Sequence, residues 1–114
     1  MSEHVKEITA AEFNREVKEA GEPVVLDFYS TECPPCAALA PKFEAVAEQL
    51  AGKARFIKIF RQGSRELAMS LGVTGSPTLL FFDRHGREQG ERMGGEEIKR
   101  SAIKAQVEAL LAAE

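Results

Sequence analysis

The chain contains two cysteines, Cys33 and Cys36, two residues apart with Pro34 and Pro35 between them. Thiols at this spacing suit three uses: a redox-active dithiol, half of a zinc site, or inert core packing. A structural zinc site needs four ligands, from a second pair or from histidines. The only histidines are His4, near the N-terminus, and His85, in a predicted hairpin tip. Inert core cysteines would have no need of a double-proline helix start. A dithiol would use one. Cys33 closes the loop after a run of β-formers and opens the following helix. Helix N-termini carry unpaired N–H groups and partial positive charge, which stabilise a thiolate. Such placement lowers a cysteine pKa from about 8.5 to roughly 3.5–7.5. The two prolines fit a first helical turn, whose N–H groups lack intrahelical partners. Cys36, one turn along, points back at Cys33, so a small disulfide ring can close with little backbone movement.

Three further residues fit this chemistry, each with a plainer alternative. Asp27 interrupts "VVLDFY", a run expected to be buried, and burial of an unpaired carboxylate is costly and raises its pKa. The alternative is an Asp on an exposed strand end. Lys58, central in "FIKIF", is a candidate partner for Asp27; otherwise it is a solvated lysine. Pro77 opens a strand after "TGS" and is otherwise an ordinary trans proline, since cis bonds are about 5–6% of X–Pro bonds.

The elements that must position these residues follow one another closely, with no repeat or linker. "ITAAEFNREVKEAG" (8–21) reads as a helix. Thr9 and Glu12 have capping-box spacing, Ile8 and Phe13 that of a hydrophobic staple, and Gly21 ends it. "PVVLDFY" (23–29) has little polar alternation, as in a strand buried on both faces. From 34 to 50 the period is helical, with Leu39, Phe43, Val46 and Leu50 on one stripe. "ARFIKIF" is a second central strand, 64–71 a short helix, and "PTLLFFD" a third strand. "RHG" turns into a fourth strand, "REQGERM". A last helix carries Ile103, Val107, Leu110 and Leu111. The order predicts one α/β domain spanning 1–114, a central mixed sheet with helices on both faces.

The chain has 114 residues, 44% apolar and 29% charged, with net charge −3. That is ordinary for a globular domain and offers nothing to nucleic acid. No apolar run is long enough to span a membrane, and "MSEHVKEITAAEF" lacks signal-peptide regions. These features predict a cytoplasmic, reducing setting, where paired cysteines point to redox or metal chemistry rather than a permanent staple.

The sequence resembles the thioredoxin family over nearly its full length. The match includes "VVLDFYSTECPPC", Ala40–Pro41 within the second helix, Lys58, "GVTGSPTLLFF" and Gly94. The resemblance implies the thioredoxin fold, with Pro41 bending its helix. It makes Cys33 the exposed nucleophile and Cys36 the buried resolving thiol. Asp27 becomes the proton acceptor for Cys36, with Lys58 nearby. It implies a cis Ser76–Pro77 bond facing the cysteines, a Ser76 backbone that pairs with the substrate chain, and Gly75 and Gly94 keeping the groove shallow. The chain departs from the family around that groove. Glu32-Cys33-Pro34-Pro35-Cys36 stands where Trp-Cys-Gly-Pro-Cys is usual, and the chain has no tryptophan. Tyr29 and Glu32 occupy frequent tryptophan positions, Ser76 replaces an apolar residue, and "FRQGS" replaces a segment that commonly bears Asp or Asn.

The function implied is thiol–disulfide exchange as a monomeric disulfide reductase of protein substrates, recycled by a flavin-containing, NADPH-dependent thioredoxin reductase. No bound cofactor or metal is needed for thiolate exchange. Two other functions remain: a thiol oxidant or isomerase using the same site, and a binding module in which the cysteines are secondary.

Overall fold

The computed structural model describes residues 3–95 and 97–114. Its centre is a five-stranded sheet in the order β1-β3-β2-β4-β5. The strands are β1 (Val5–Ile8), β2 (Val24–Tyr29), β3 (Arg55–Phe60), β4 (Thr78–Phe82) and β5 (Met93–Gly94). β1, β3 and β2 run parallel, β4 is antiparallel to β2, and β5 is antiparallel to β4. The sheet is mixed, as the sequence predicts.

Alternation along the strands divides the core in two. Val25, Phe56, Leu79 and Phe81 pack against α1 (Pro34–Gln49) and α3 (Arg100–Ala112). Val24, Leu26, Phe28, Ile57, Ile59, Leu80 and Phe82 pack on the other face, against Phe13, Val17 and the segment containing α2 (Arg65–Ser70). β2 is buried from Val24 through Phe28, which explains its nearly unbroken apolar run. Leu39, Phe43, Val46 and Leu50 form the expected inward stripe of α1, and the helix is continuous through Pro41.

Three expectations need correction. The first is β1, a strand absent from the sequence reading, which assigns no element to residues 5–7 and starts a helix at Ile8. In this edge strand only Ile8 is buried, while Lys6 and Glu7 are exposed. Val5 and Ile8 are three residues apart, a helical spacing, so no strand period shows. Second, the helix after it is not a regular α-helix. A 3-10 turn at Ala10–Glu12 leads into a π-helical stretch, Asn14–Lys18. The Thr9 N–H still donates to the Glu12 carboxylate at 2.9 Å, and Phe13 and Val17 still face the core.

The third correction is the strand expected over "REQGERM". The hairpin begins, with the Gln89 N–H donating to the Phe81 carbonyl at 2.8 Å and a bridge at Phe82–Glu88. Gly90 then takes a left-handed φ of 72°, which turns the chain out of the ladder. The Gln106 side chain fills that corner and donates to the Glu91 carbonyl at 2.8 Å. Pairing resumes only at Met93–Gly94. The turn before it is fixed by Gly86, whose φ is 78°. A Cβ there would run into the Lys18 backbone.

Candidate active site

Cys33 and Cys36 lie where β2 passes into α1. They are joined in a disulfide, with Cα atoms 5.2 Å apart. Cys33 is the N-cap of α1, and its sulfur accepts the Cys36 N–H at 3.3 Å. The prolines fill the first helical positions, where no intrahelical N–H is lost. Cys33 is partly exposed and Cys36 is buried, with 8% of its surface accessible. The carbonyl of Ser76 lies 3.7 Å from the Cys33 sulfur, and the Ser76–Pro77 bond is cis.

Asp27 shares a sheet face with Val25, the face covered by α1. Its carboxyl is buried, 6% exposed, and Oδ1 accepts no hydrogen bond from any described residue. Burial raises its pKa to about 7, with the Lys58 charge acting in the opposite direction. Lys58 is the register neighbour of Asp27 on β3. It is half-buried, and its ammonium lies 5.3 Å from the centre of the Tyr29 ring. Both alternatives for these residues fall away: Asp27 is not on an exposed end, and Lys58 is not fully solvated. Asp27, Lys58, Cys33 and Cys36 all line one cavity of about 590 Å³.

The remaining expected residues surround the disulfide. Glu32 and Pro34 border the same cavity, Glu32 being exposed with a left-handed φ of 51°. Pro35 is half-buried in the first turn of α1. Gly75 lies in the loop before Pro77, where a Cβ would meet nothing within 4 Å. Gly94 pairs with Thr78 on the edge strand, and a Cβ there would come 3.2 Å from the Pro77 carbonyl. Gly75 thus leaves open space beside the loop, while Gly94 allows two backbones to approach closely.

Three contributors were not identified from sequence. Glu7 accepts a hydrogen bond from the Tyr29 hydroxyl. Burial, that bond and the Glu7 charge raise the Tyr29 pKa to about 12. Glu7 is also the β1 register neighbour of Lys58, so without β1 nothing could place it. The hydroxyls of Ser30 and Ser76 are 2.5 Å apart, and Arg61 Nε donates to Ser76 Oγ at 2.8 Å. The only available signal was that "FRQGS" and Ser76 depart from the usual pattern. Among the described residues no group of three or more His, Cys, Asp and Glu side chains is placed to hold a metal ion.

The Thioredoxin family model matches residues 4–109. The chain is 33% identical to the thioredoxin of Pseudomonas aeruginosa over 94 residues, covering 82% of this chain and 86% of that protein. It is 34% identical to the thioredoxin of Peptoclostridium acidaminophilum over 107 residues, 94% of this chain and 96% of the other. It is 39% identical to a chloroplastic thioredoxin-like protein, CITRX, of rice over 79 residues, covering 68% of this chain but 42% of that longer protein.

Proposed function

The chain belongs to the thioredoxin family of disulfide oxidoreductases, and from that premise we propose that it works in the reducing direction, as a cytoplasmic, single-domain, monomeric reductase of protein disulfides. The observation that carries this reading is the pair of unequal sulfurs, Cys33 partly exposed at a helix start and Cys36 buried beside the cavity that Asp27 also lines.

In the reduced protein the Cys33 thiolate attacks one sulfur of a substrate disulfide. The substrate S–S bond breaks, its other sulfur leaves as a thiol, and a mixed disulfide joins Cys33 to the substrate. Asp27 takes the Cys36 proton, and Lys58 offsets part of the cost of charging that buried carboxyl. The Cys36 thiolate then attacks the Cys33 sulfur and releases the second substrate thiol. One substrate disulfide gains two electrons from Cys33 and Cys36 and two protons, one that Cys36 passes on through Asp27 and one from water, where Cys33 left its own on ionising. A thioredoxin reductase drawing on NADPH restores the dithiol. The loop at Gly75, Ser76 and cis Pro77, with Gly94 behind it, supplies the edge where the substrate chain lies. Glu32, Pro34 and Pro35 form its opposite border.

Equilibration with glutathione redox buffers tests the direction. A reductase should poise near the −270 mV of thioredoxins, and a strong oxidant nearer −120 mV, to within roughly tens of millivolts. A value at the oxidising end would replace the reductase reading with the oxidant one. Retention of all partner-dependent activity in a Cys33→Ser, Cys36→Ser variant would replace both with a binding module. No helix among the described residues is long and apolar enough to cross a membrane.

A further inference from the structure

Ser30, Arg61 and Ser76 sit at the ends of three neighbouring strands and form one polar chain beside the disulfide. Arg61 Nε donates to Ser76 Oγ at 2.8 Å, and Ser76 Oγ is 2.5 Å from Ser30 Oγ. The carbonyl of Ser76 is 3.7 Å from the Cys33 sulfur. Ser76 is therefore held through its side chain while its backbone faces the cysteine. Arg61 is half-buried, and Nε makes its only hydrogen bond among the described residues. Both terminal nitrogens, with four N–H donors between them, have no hydrogen-bond partner among the described residues. Those nitrogens remain open to solvent, so the fork is held in place by Nε yet free to take an incoming acceptor. A carboxylate fits that fork in shape and charge.

We propose that Arg61 is a specificity-determining residue that docks a carboxylate carried by the polypeptide segment flanking the substrate disulfide. The inference rests on reading the Ser76–Pro77 loop as the docking edge. A substrate chain laid along that loop passes Ser76, whose hydroxyl holds the Arg61 guanidinium and whose carbonyl lies beside the Cys33 sulfur. The exposed carboxylate of Glu32, immediately before Cys33, acts against an acidic substrate from the other border. Arg61 has the advantage of partial burial and a preset orientation, whereas Glu32 projects from an exposed loop and is well screened.

The test uses single-turnover exchange, which needs no electron donor. Reduced protein is mixed with the disulfide dimers of three blocked peptides, acetyl-Gly-Cys-Asp-amide and its Asn and Lys counterparts. In the unmodified protein the Asp dimer should react about threefold to fivefold faster than the Lys dimer, the range of a partly screened ion pair. High salt should compress that ratio. In Arg61→Gln the Asp-to-Asn ratio should fall towards one, and Arg61→Lys should restore part of it. A structural role alone would slow all three peptides by a common factor, and that result would overturn the proposal. A faster Lys dimer in the unmodified protein would overturn it without any variant. Equal rates would reject Arg61 as a selector and leave exchange chemistry standing. No reaction with any peptide would reject the exchange reading itself, and this proposal with it.

Discussion

Asp27→Asn should shift the stability difference from wild type in the variant's favour as pH rises from acid to alkaline. The wild-type carboxyl titrates at about 7 in the fold, against an ordinary value of 3.8. Below that ordinary value it is protonated in both folded and unfolded chains, so its ionisation contributes nothing. As pH rises, the unfolded chain releases the proton first, while the fold holds it. The unfolded state then binds fewer protons, and wild-type stability falls with pH. The fall levels off once the folded carboxyl also ionises, above about pH 7. Each pH unit in that window is worth about 1.4 kcal/mol, which sets a ceiling of about 4 kcal/mol. Water entering the cavity lined by Asp27 softens the penalty, so we expect about 2–4 kcal/mol.

Asn brings a neutral amide whose own burial costs about 1–3 kcal/mol if unpaired, and that cost does not vary with pH. The quantity to measure is therefore how the stability difference changes with pH, not its absolute sign at one pH. Urea unfolding of both proteins in the oxidised form keeps the cysteines from titrating. With a slope of about 1–3 kcal/mol per molar urea, the midpoints should separate by about 1–2 M more at pH 8.5 than at pH 4. A separation that does not vary with pH would show that Asp27 ionises normally in the fold, and the burial reasoning would fail.

In the reduced protein, brief alkylation near neutral pH should label Cys33 well before Cys36, because only Cys33 is partly exposed; peptide mapping that finds Cys36 modified first would reverse their roles. Glu32, with its left-handed φ of 51°, should respond differently to two substitutions. Glu32→Gly should relieve backbone strain and add about 0.5–1 kcal/mol in urea unfolding, while Glu32→Gln should leave stability nearly unchanged. Both should move the pH profile of Cys33 alkylation to lower pH, less so at high salt; an unmoved profile at low salt would remove Glu32 as an electrostatic influence on the thiolate.

The elements legible in the sequence are those whose burial is nearly complete. β2 reads as a strand because five consecutive residues are buried, and α1 reads as a helix because one stripe, Leu39, Phe43, Val46 and Leu50, repeats over about three turns. The N-terminal strand fails this test, since one buried residue in four sets no period. The stretch from 87 to 92 fails for another reason. In sequence Gly90 lies within the expected strand, and the side chain that packs into the corner it makes, Gln106, comes from a distant helix. The site divides the same way. The cysteine spacing and an Asp in an apolar run are local signals. Glu7, Ser30 and Arg61 act through partners 22, 46 and 15 residues away, and no local pattern encodes those meetings.

Placement of Asp27 follows from strand parity and has a consequence for proton flow. Val25 faces the core beneath α1, so two residues on Asp27 faces α1 as well, and two more on Tyr29 does. The helix that covers this face is the one that begins at Cys33, so the carboxyl and the disulfide must converge. Convergence alone would leave Asp27 sealed, and a sealed acid could not exchange the proton that the proposed mechanism has it take from Cys36. Tyr29 closes one side, its hydroxyl held by Glu7 and its ring beside the Lys58 ammonium. The other side stays open, because the cavity reaching from Asp27 and Lys58 runs to Glu32 and Cys33 at the surface. A bulky aromatic ring at position 32 would be placed to cover that mouth, whereas the exposed Glu32 leaves it accessible. Asp27 is thus dry enough to hold a proton near neutral pH and open enough to return it to water, the two properties that the proposed role of resolving base requires in a repeated cycle.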